Sequence, residues 1–274
     1  MTVFFVGGSP RSGTTLLAQV LSQAKGTNPP MHEAQYFTQL IKAYNIGKTT
    51  AKDTMADYFV DDQDFQQFNL DIVNRFFQQV KKRFPETETI ILKDPFLTSL
   101  FPVVNHLYPD SFFIISIRDP RDTIASMIEV GRKSDSYLKQ KLPSFANRDI
   151  PALVNFYKSF YQRIFTIKNL EFRRKMIYVK YEALVENVDS FIQQINQVTG
   201  LTFPDFDPDN MKQGTFNPDV ATNQKTTPWQ TSLQHGKKIA SSSVGNYKQI
   251  LSPHEIDEIN RLCEPILSTF KYQF

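Results

Sequence analysis

A short apolar run that ends on paired glycines constrains this chain more than any other feature. Val3-Phe4-Phe5-Val6 has no polar alternation, so it reads as a strand buried on both faces, as in a parallel sheet. It runs directly into Gly7-Gly8 and then Ser9-Pro10-Arg11-Ser12-Gly13-Thr14-Thr15. From Thr14 onward Leu16, Leu17, Val20 and Leu21 mark one apolar face of a helix. The unit is strand, glycine loop, helix. Such a loop aims several backbone N–H groups at one point, and the helix start adds partial positive charge. The loop therefore suits a phosphate or a sulfate, with the hydroxyls of Thr14 and Thr15 as further donors.

Similar strands recur along the chain. Thr89-Ile-Ile-Leu92 predicts a second strand, followed by Lys93-Asp94-Pro95. Ser111 to Ile117 predicts a third, ending at Arg118, with Asp119 suited to the N-cap and Pro120 to the first position of the next helix. Met176-Ile-Tyr-Val179 predicts a fourth, leading into Lys180-Tyr181-Glu182. Between them the spacing of Val73, Phe76, Phe77 and Val80 is helical, and one helix is expected over Ala152 to Leu170. Phe191, Ile192, Ile195 and Val198 mark a helix that stops at Gly200. The last helix opens at Ser252-Pro253-His254-Glu255, a capping box with proline at the first helical position. Residues 132–150 read as a surface segment or lid and 202–235 as loop. Strands alternating with helices imply an α/β fold: a P-loop-type parallel sheet flanked by helices, in a single domain over 1–274. In such sheets ligands sit at the C-terminal ends of the strands.

Gly8 and Gly13 have the spacing of the P-loop in nucleotide triphosphatases, but Thr14 stands where that loop carries its lysine, and Arg11 appears inside the loop instead. This argues against an ordinary ATPase or kinase. A net charge of +3, with both signs mixed along the chain, is too weak for a general nucleic-acid binder but leaves room for one basic pocket. His32, His106, His235 and His254 lack metal-ligand spacing, so no metal is expected. The single cysteine, Cys263, lies in an apolar helical stripe and reads as a buried structural thiol. No signal peptide is read at the N-terminus, and no apolar run approaches the roughly 18 residues of a membrane span, so a cytoplasmic protein is expected. The 24 phenylalanines read first as an aromatic-rich core and second as the lining of an acceptor pocket.

Pro10-Arg11-Ser12-Gly13-Thr14-Thr15-Leu16-Leu17 resembles the 5′-phosphosulfate loop of sulfotransferases that use 3′-phosphoadenosine-5′-phosphosulfate (PAPS), in the arginine form of bacterial members and tyrosylprotein sulfotransferases. The stretch from Ile117 to Ser126 resembles the family's 3′-phosphate motif, in which an arginine at a strand end and a serine eight positions on grip the phosphate; here they are Arg118 and Ser126. The other reading is a surface pair of Arg118 with Asp122. Lys93-Asp94-Pro95 looks like the segment whose lysine lies near the donor's bridging oxygen, so the resemblance gives Lys93 charge stabilisation of the leaving oxygen; Asp94 reads as a cap or as a partner of that lysine. Glu33 falls where the same subgroup carries a catalytic glutamate and is the candidate general base, with His32 as rival. Tyr181 resembles a tyrosine that lies near the adenine, although Ala183 replaces an aspartate of that stretch. Lys237, Lys238, Ser242, Ser243 and Tyr247 fall in a segment like the family's C-terminal loop over the nucleotide, with Asn246 where an arginine is often found.

The resemblance thus implies in-line, metal-independent transfer of a sulfuryl group from PAPS to a hydroxyl, leaving PAP. The acceptor would be a small molecule, glycan, lipid or peptide tyrosine. Two rivals stay open: a P-loop nucleotide kinase, and an inactive PAP-binding protein that keeps the anion sites without the base.

Overall fold

The computed structural model of this chain describes residues 2–133, 140, 143–211, 214, 239 and 242–273. Its sheet contains β1 (Thr2–Gly8), β2 (Thr89–Lys93), β3 (Ser111–Ile117) and β4 (Met176–Lys180), all parallel, in the order β2-β1-β3-β4. β1 is therefore central, as its unbroken apolar run predicts, and Val3 to Val6 are essentially inaccessible. The helices that matter for the site are α1 (Thr14–Leu21), α2 (Gln35–Thr49), α3 (Asp62–Arg83), α4 (Pro120–Lys133), α5 (Ile150–Ser159), α6 (Tyr181–Glu186), α7 (Val188–Thr199) and α8 (Pro253–Thr269). Among the described residues no helix is long and apolar enough to cross a membrane.

The sheet separates two apolar layers because successive strand side chains point to opposite faces. Phe4 and Val6 pack with Leu17, Val20 and Leu21 of α1 and with Phe191 and Ile195 of α7. Val3 and Phe5 join the other layer, with Phe37 of α2 and Phe77 of α3. There Phe37 stacks on both Phe5 and Phe77, at ring distances of 5.3 and 5.6 Å, and Phe5 on Phe113 at 5.7 Å. Much of the chain's phenylalanine content thus builds core, in offset stacks worth about 0.5–1.5 kcal/mol each beyond burial.

Local capping signals match the helix starts. Asp119 accepts the N–H of Arg121 at 2.9 Å ahead of α4, and Ser252 with Glu255 forms the capping box of α8. The single helix expected over 152–170 is not formed. α5 ends at Ser159, a short turn covers Gln162–Phe165, and a separate helix runs Leu170–Arg174. Two local interactions break it: the Tyr161 N–H bonds back to Lys158 in a tighter turn, and the Asn169 side chain accepts from Phe172 N–H and starts the next helix.

Candidate active site

The loops after β1, β2 and β3 meet, tied by side chains. Ser12 Oγ donates to the Ser9 carbonyl at 2.7 Å, closing the glycine loop on itself, and Ser116 Oγ of β3 donates to the Ser12 carbonyl at 2.6 Å. Gly8 N–H donates to Thr98 Oγ1 at 2.8 Å, which ties the loop to the segment after β2. Tyr161 reaches the loop from the far layer: its hydroxyl accepts from Ser9 N–H at 2.8 Å and donates to the Ser116 carbonyl at 2.9 Å. Thr98, Ser116 and Tyr161 were not singled out from the sequence, because each acts through a partner at least 90 positions away. Tyr161→Phe leaves a buried N–H and a buried carbonyl short of a partner, so it is expected to destabilise the chain by about 1–3 kcal/mol, read as a lower urea midpoint. An unchanged midpoint would show that the loop is held without that hydroxyl.

Two glycines permit the loop. Gly8 has φ 140°, and a Cβ there would come within 2.5 Å of the Ser116 carbonyl; Gly13 has φ 91°, and a Cβ there would strike the Tyr181 ring at 2.2 Å. Gly13 is the N-cap of α1, and no side chain caps that helix start. Its first N–H groups are thus left for an anion, with Thr14 and Thr15 in the first turn. Pro10, Ser12 and Thr14 are buried, and Arg11 and Thr15 are partly exposed.

Arg11 has φ 70°, a left-handed conformation that costs a non-glycine residue about 1–2 kcal/mol. Two bonds hold it there: its Nε donates to Ser126 Oγ at 3.1 Å, and its carbonyl accepts from an outer Arg118 nitrogen at 3.0 Å. Arg118 leaves the tip of β3, 7% exposed; its other outer nitrogen donates to the Ser243 carbonyl at 2.6 Å, and among the described residues its buried Nε has no partner. The guanidinium lies 4.7 Å over the Tyr181 ring, and Tyr181 OH shares a hydrogen bond with Ser243 Oγ at 2.8 Å. Burial, then the neighbouring Arg118 charge, lowers the Arg11 pKa. Among the described residues neither guanidinium is in an ion pair. Two adjacent cations, Arg118 buried and Arg11 partly exposed, in no ion pair among the described residues, form a cradle suited to an anion. Arg118 does not form the surface pair with Asp122: that carboxylate accepts the N–H groups of Gly245 and Tyr247 instead.

Glu33 and Lys93 form the second cluster. The segment before α2 is pinned along the outer edge of β2, where Asn28 acts as a strand partner: its Oδ1 accepts from Ile91 N–H at 2.7 Å, and its amide donates to the Ile91 carbonyl. Ala34 N–H then donates to the Lys93 carbonyl at 2.8 Å. This brings Glu33 alongside, and Lys93 Nζ donates to its Oε1 at 3.0 Å, with the lysine side chain 9% and the glutamate 36% exposed. Asp94 is a cap: it accepts from Phe96 N–H at 2.9 Å and from the Thr38 hydroxyl at 2.5 Å, and burial pushes its carboxyl above the ordinary range. Burial, then the Lys93 charge, lowers the His32 pKa and favours the neutral ring. Among the described residues no hydrogen bond joins the Glu33–Lys93 pair to Arg11 or Arg118. Of the C-terminal segment, Ser242 is exposed, the Tyr247 ring lies 4.8 Å from the Arg121 guanidinium, and Lys237 and Lys238 lie outside the described residues.

Comparison with known proteins finds relatives of this chain. Residues 4–205 match a family model described as the sulfotransferase family. A candidate protein-tyrosine sulfotransferase of Caenorhabditis briggsae is 27% identical over 212 residues, covering 73% of this chain and 66% of the relative. Protein-tyrosine sulfotransferase 2 of Gallus gallus is 25% identical over 130 residues, covering 47% of this chain and 34% of the relative. The chain thus spans under two-thirds of the first relative's length and about a third of the second's. The same fold occurs in a sulfotransferase domain from the curacin biosynthetic pathway, with TM-score 0.61, 15% identity, and 100% of this chain and 98% of that one covered. It also occurs in a sulfotransferase domain from the Synechococcus PCC 7002 olefin synthase, with TM-score 0.55, 18% identity, and coverage of 100% and 96%.

Proposed function

The chain belongs to the sulfotransferase family, and from that premise we propose that it moves a sulfuryl group from PAPS to an acceptor hydroxyl. The observation that carries this reading is the adjacent pair of guanidiniums of Arg11 and Arg118, in no ion pair among the described residues, beside the uncapped start of α1. One anion at a helix start suits many nucleotides, whereas the second cationic group at the tip of β3 suits a donor with a phosphate at each end. The α1 N–H groups, Arg11, Thr14 and Thr15 hold the 5′-phosphosulfate, and Arg118 with Ser126 holds the 3′-phosphate. Tyr181 supports both by packing on Gly13 and under Arg118. Side-chain cations supply the positive charge in this reading, without a metal ion.

Glu33 takes the proton of the acceptor hydroxyl as the acceptor oxygen bonds to sulfur and the bond from sulfur to the bridging phosphate oxygen breaks. Lys93 offsets the charge that develops on that oxygen. Positioning and electrostatics supply the rate, as in phosphoryl transfer. His32 is the second candidate base, and its lowered pKa leaves it neutral and able to accept a proton. The names of the two relatives put phenols first among the acceptors to test.

A thermal-shift comparison separates this reading from a nucleotide kinase. PAP at 100 times its Kd is expected to stabilise the chain by about 2.7 kcal/mol, while ATP with magnesium gives less. Stabilisation by ATP with magnesium and none by PAP would overturn the reading.

A further inference from the structure

We propose that Asp122 is a positioning residue that anchors residues 242–247 across Arg118 and so sets how long the donor nucleotide, or the PAP left after transfer, stays bound. This rests on the donor reading above.

Asp122 sits in the first turn of α4, 3% exposed, next to the β3 tip that carries Arg118. A buried carboxylate needs partners. Its two oxygens take the N–H groups of Gly245 at 2.8 Å and Tyr247 at 2.9 Å. Among the described residues it makes no ion pair: the neighbouring Arg121 is paired with Asp119 at 2.6 Å. Both Asp122 oxygens thus accept from the backbone of one short turn, in which Gly245 has φ 75°, while its charge also faces the neighbouring Arg118. Arg121 adds a second hold by lying over the Tyr247 ring.

The anchored turn reaches the proposed 3′-phosphate site. Two residues before Gly245, the Ser243 carbonyl accepts from Arg118 and its hydroxyl meets Tyr181 OH. Elsewhere in the turn Ser242 and Val244 are exposed. A nucleotide gripped by Arg118 shares that guanidinium with Ser243, so the anchor steadies the arginine fork that grips it.

Two variants loosen the turn from opposite sides. Asp122→Asn keeps the shape but turns an amide N–H₂ toward one of the two backbone donors. Gly245→Ala strains the left-handed turn and meets nothing within 4 Å among the described residues, so it changes the conformation without a clash there. In stopped-flow displacement, PAP dissociation is expected to quicken about tenfold in Asp122→Asn and about fivefold in Gly245→Ala, with the donor KM rising and the acceptor KM unchanged. A purely structural role would lower the urea midpoint and leave both dissociation rates at the parent value, which would overturn the proposal. Failure of the parent chain to bind PAP would instead remove the donor reading on which it rests.

Discussion

Glu33→Gln is expected to lower kcat for sulfuryl transfer to a phenol by about 10²–10⁴-fold, while PAP binds as tightly as to the parent chain. The substitution keeps the side chain's size and an oxygen that can accept from Lys93, so the loop pinned along β2 by Asn28 has no reason to move. What it removes is the negative charge and the basic oxygen. A base contributes only while the proton moves, so its loss falls on kcat rather than on donor affinity. Among the described residues Glu33 makes no hydrogen bond to the anion loop, which separates the two readouts. If Glu33→Gln kept near-parental turnover while His32→Ala lost it, the base would be the neighbouring imidazole, whose pKa is lowered by burial and then by the Lys93 charge.

Arg118→Ala is expected to lower kcat/KM for the donor by about thirtyfold or more, from the loss of at least about 2 kcal/mol of charge-assisted hydrogen bonding. The change leaves the Arg11 and Ser243 carbonyls without a donor and puts Arg11 alone in the cradle. Arg118→Lys is expected to recover little, because one ammonium cannot serve the Arg11 carbonyl, the Ser243 carbonyl and an incoming phosphate as a planar fork does. A parental donor KM in Arg118→Ala would mean that the β3 tip does not hold the nucleotide.

The parts of this molecule written in local sequence were legible. The β3 bounds, the Asp119–Pro120 start of α4 and the Ser252 capping box follow from burial, capping and proline geometry within a few residues. The spacing of Gly8 and Gly13 marks an anion loop, and the structure adds the Ser116 carbonyl and the Tyr181 ring that require glycine there. Contacts between distant segments were not legible. Tyr161 was read as one more residue of a long helix, although a tight turn after Lys158 breaks that helix and Tyr161 holds the loop. Glu33 and Lys93 were each singled out, yet their ion pair depends on Asn28 substituting for a strand at the sheet edge. Asp122 was read only as a possible partner of Arg118, because nothing local tells a carboxylate that its donors are backbone N–H groups more than 120 positions away.

The most direct test of the two-anion account is calorimetric titration of the parent chain and Arg118→Ala with PAP and with adenosine 5′-monophosphate, which lacks the 3′-phosphate. The account predicts that the parent chain binds PAP at least about thirtyfold more tightly than the monophosphate and that the gap closes in Arg118→Ala. Equal affinity of the parent chain for the two nucleotides, or a gap that survives the loss of Arg118, would contradict it.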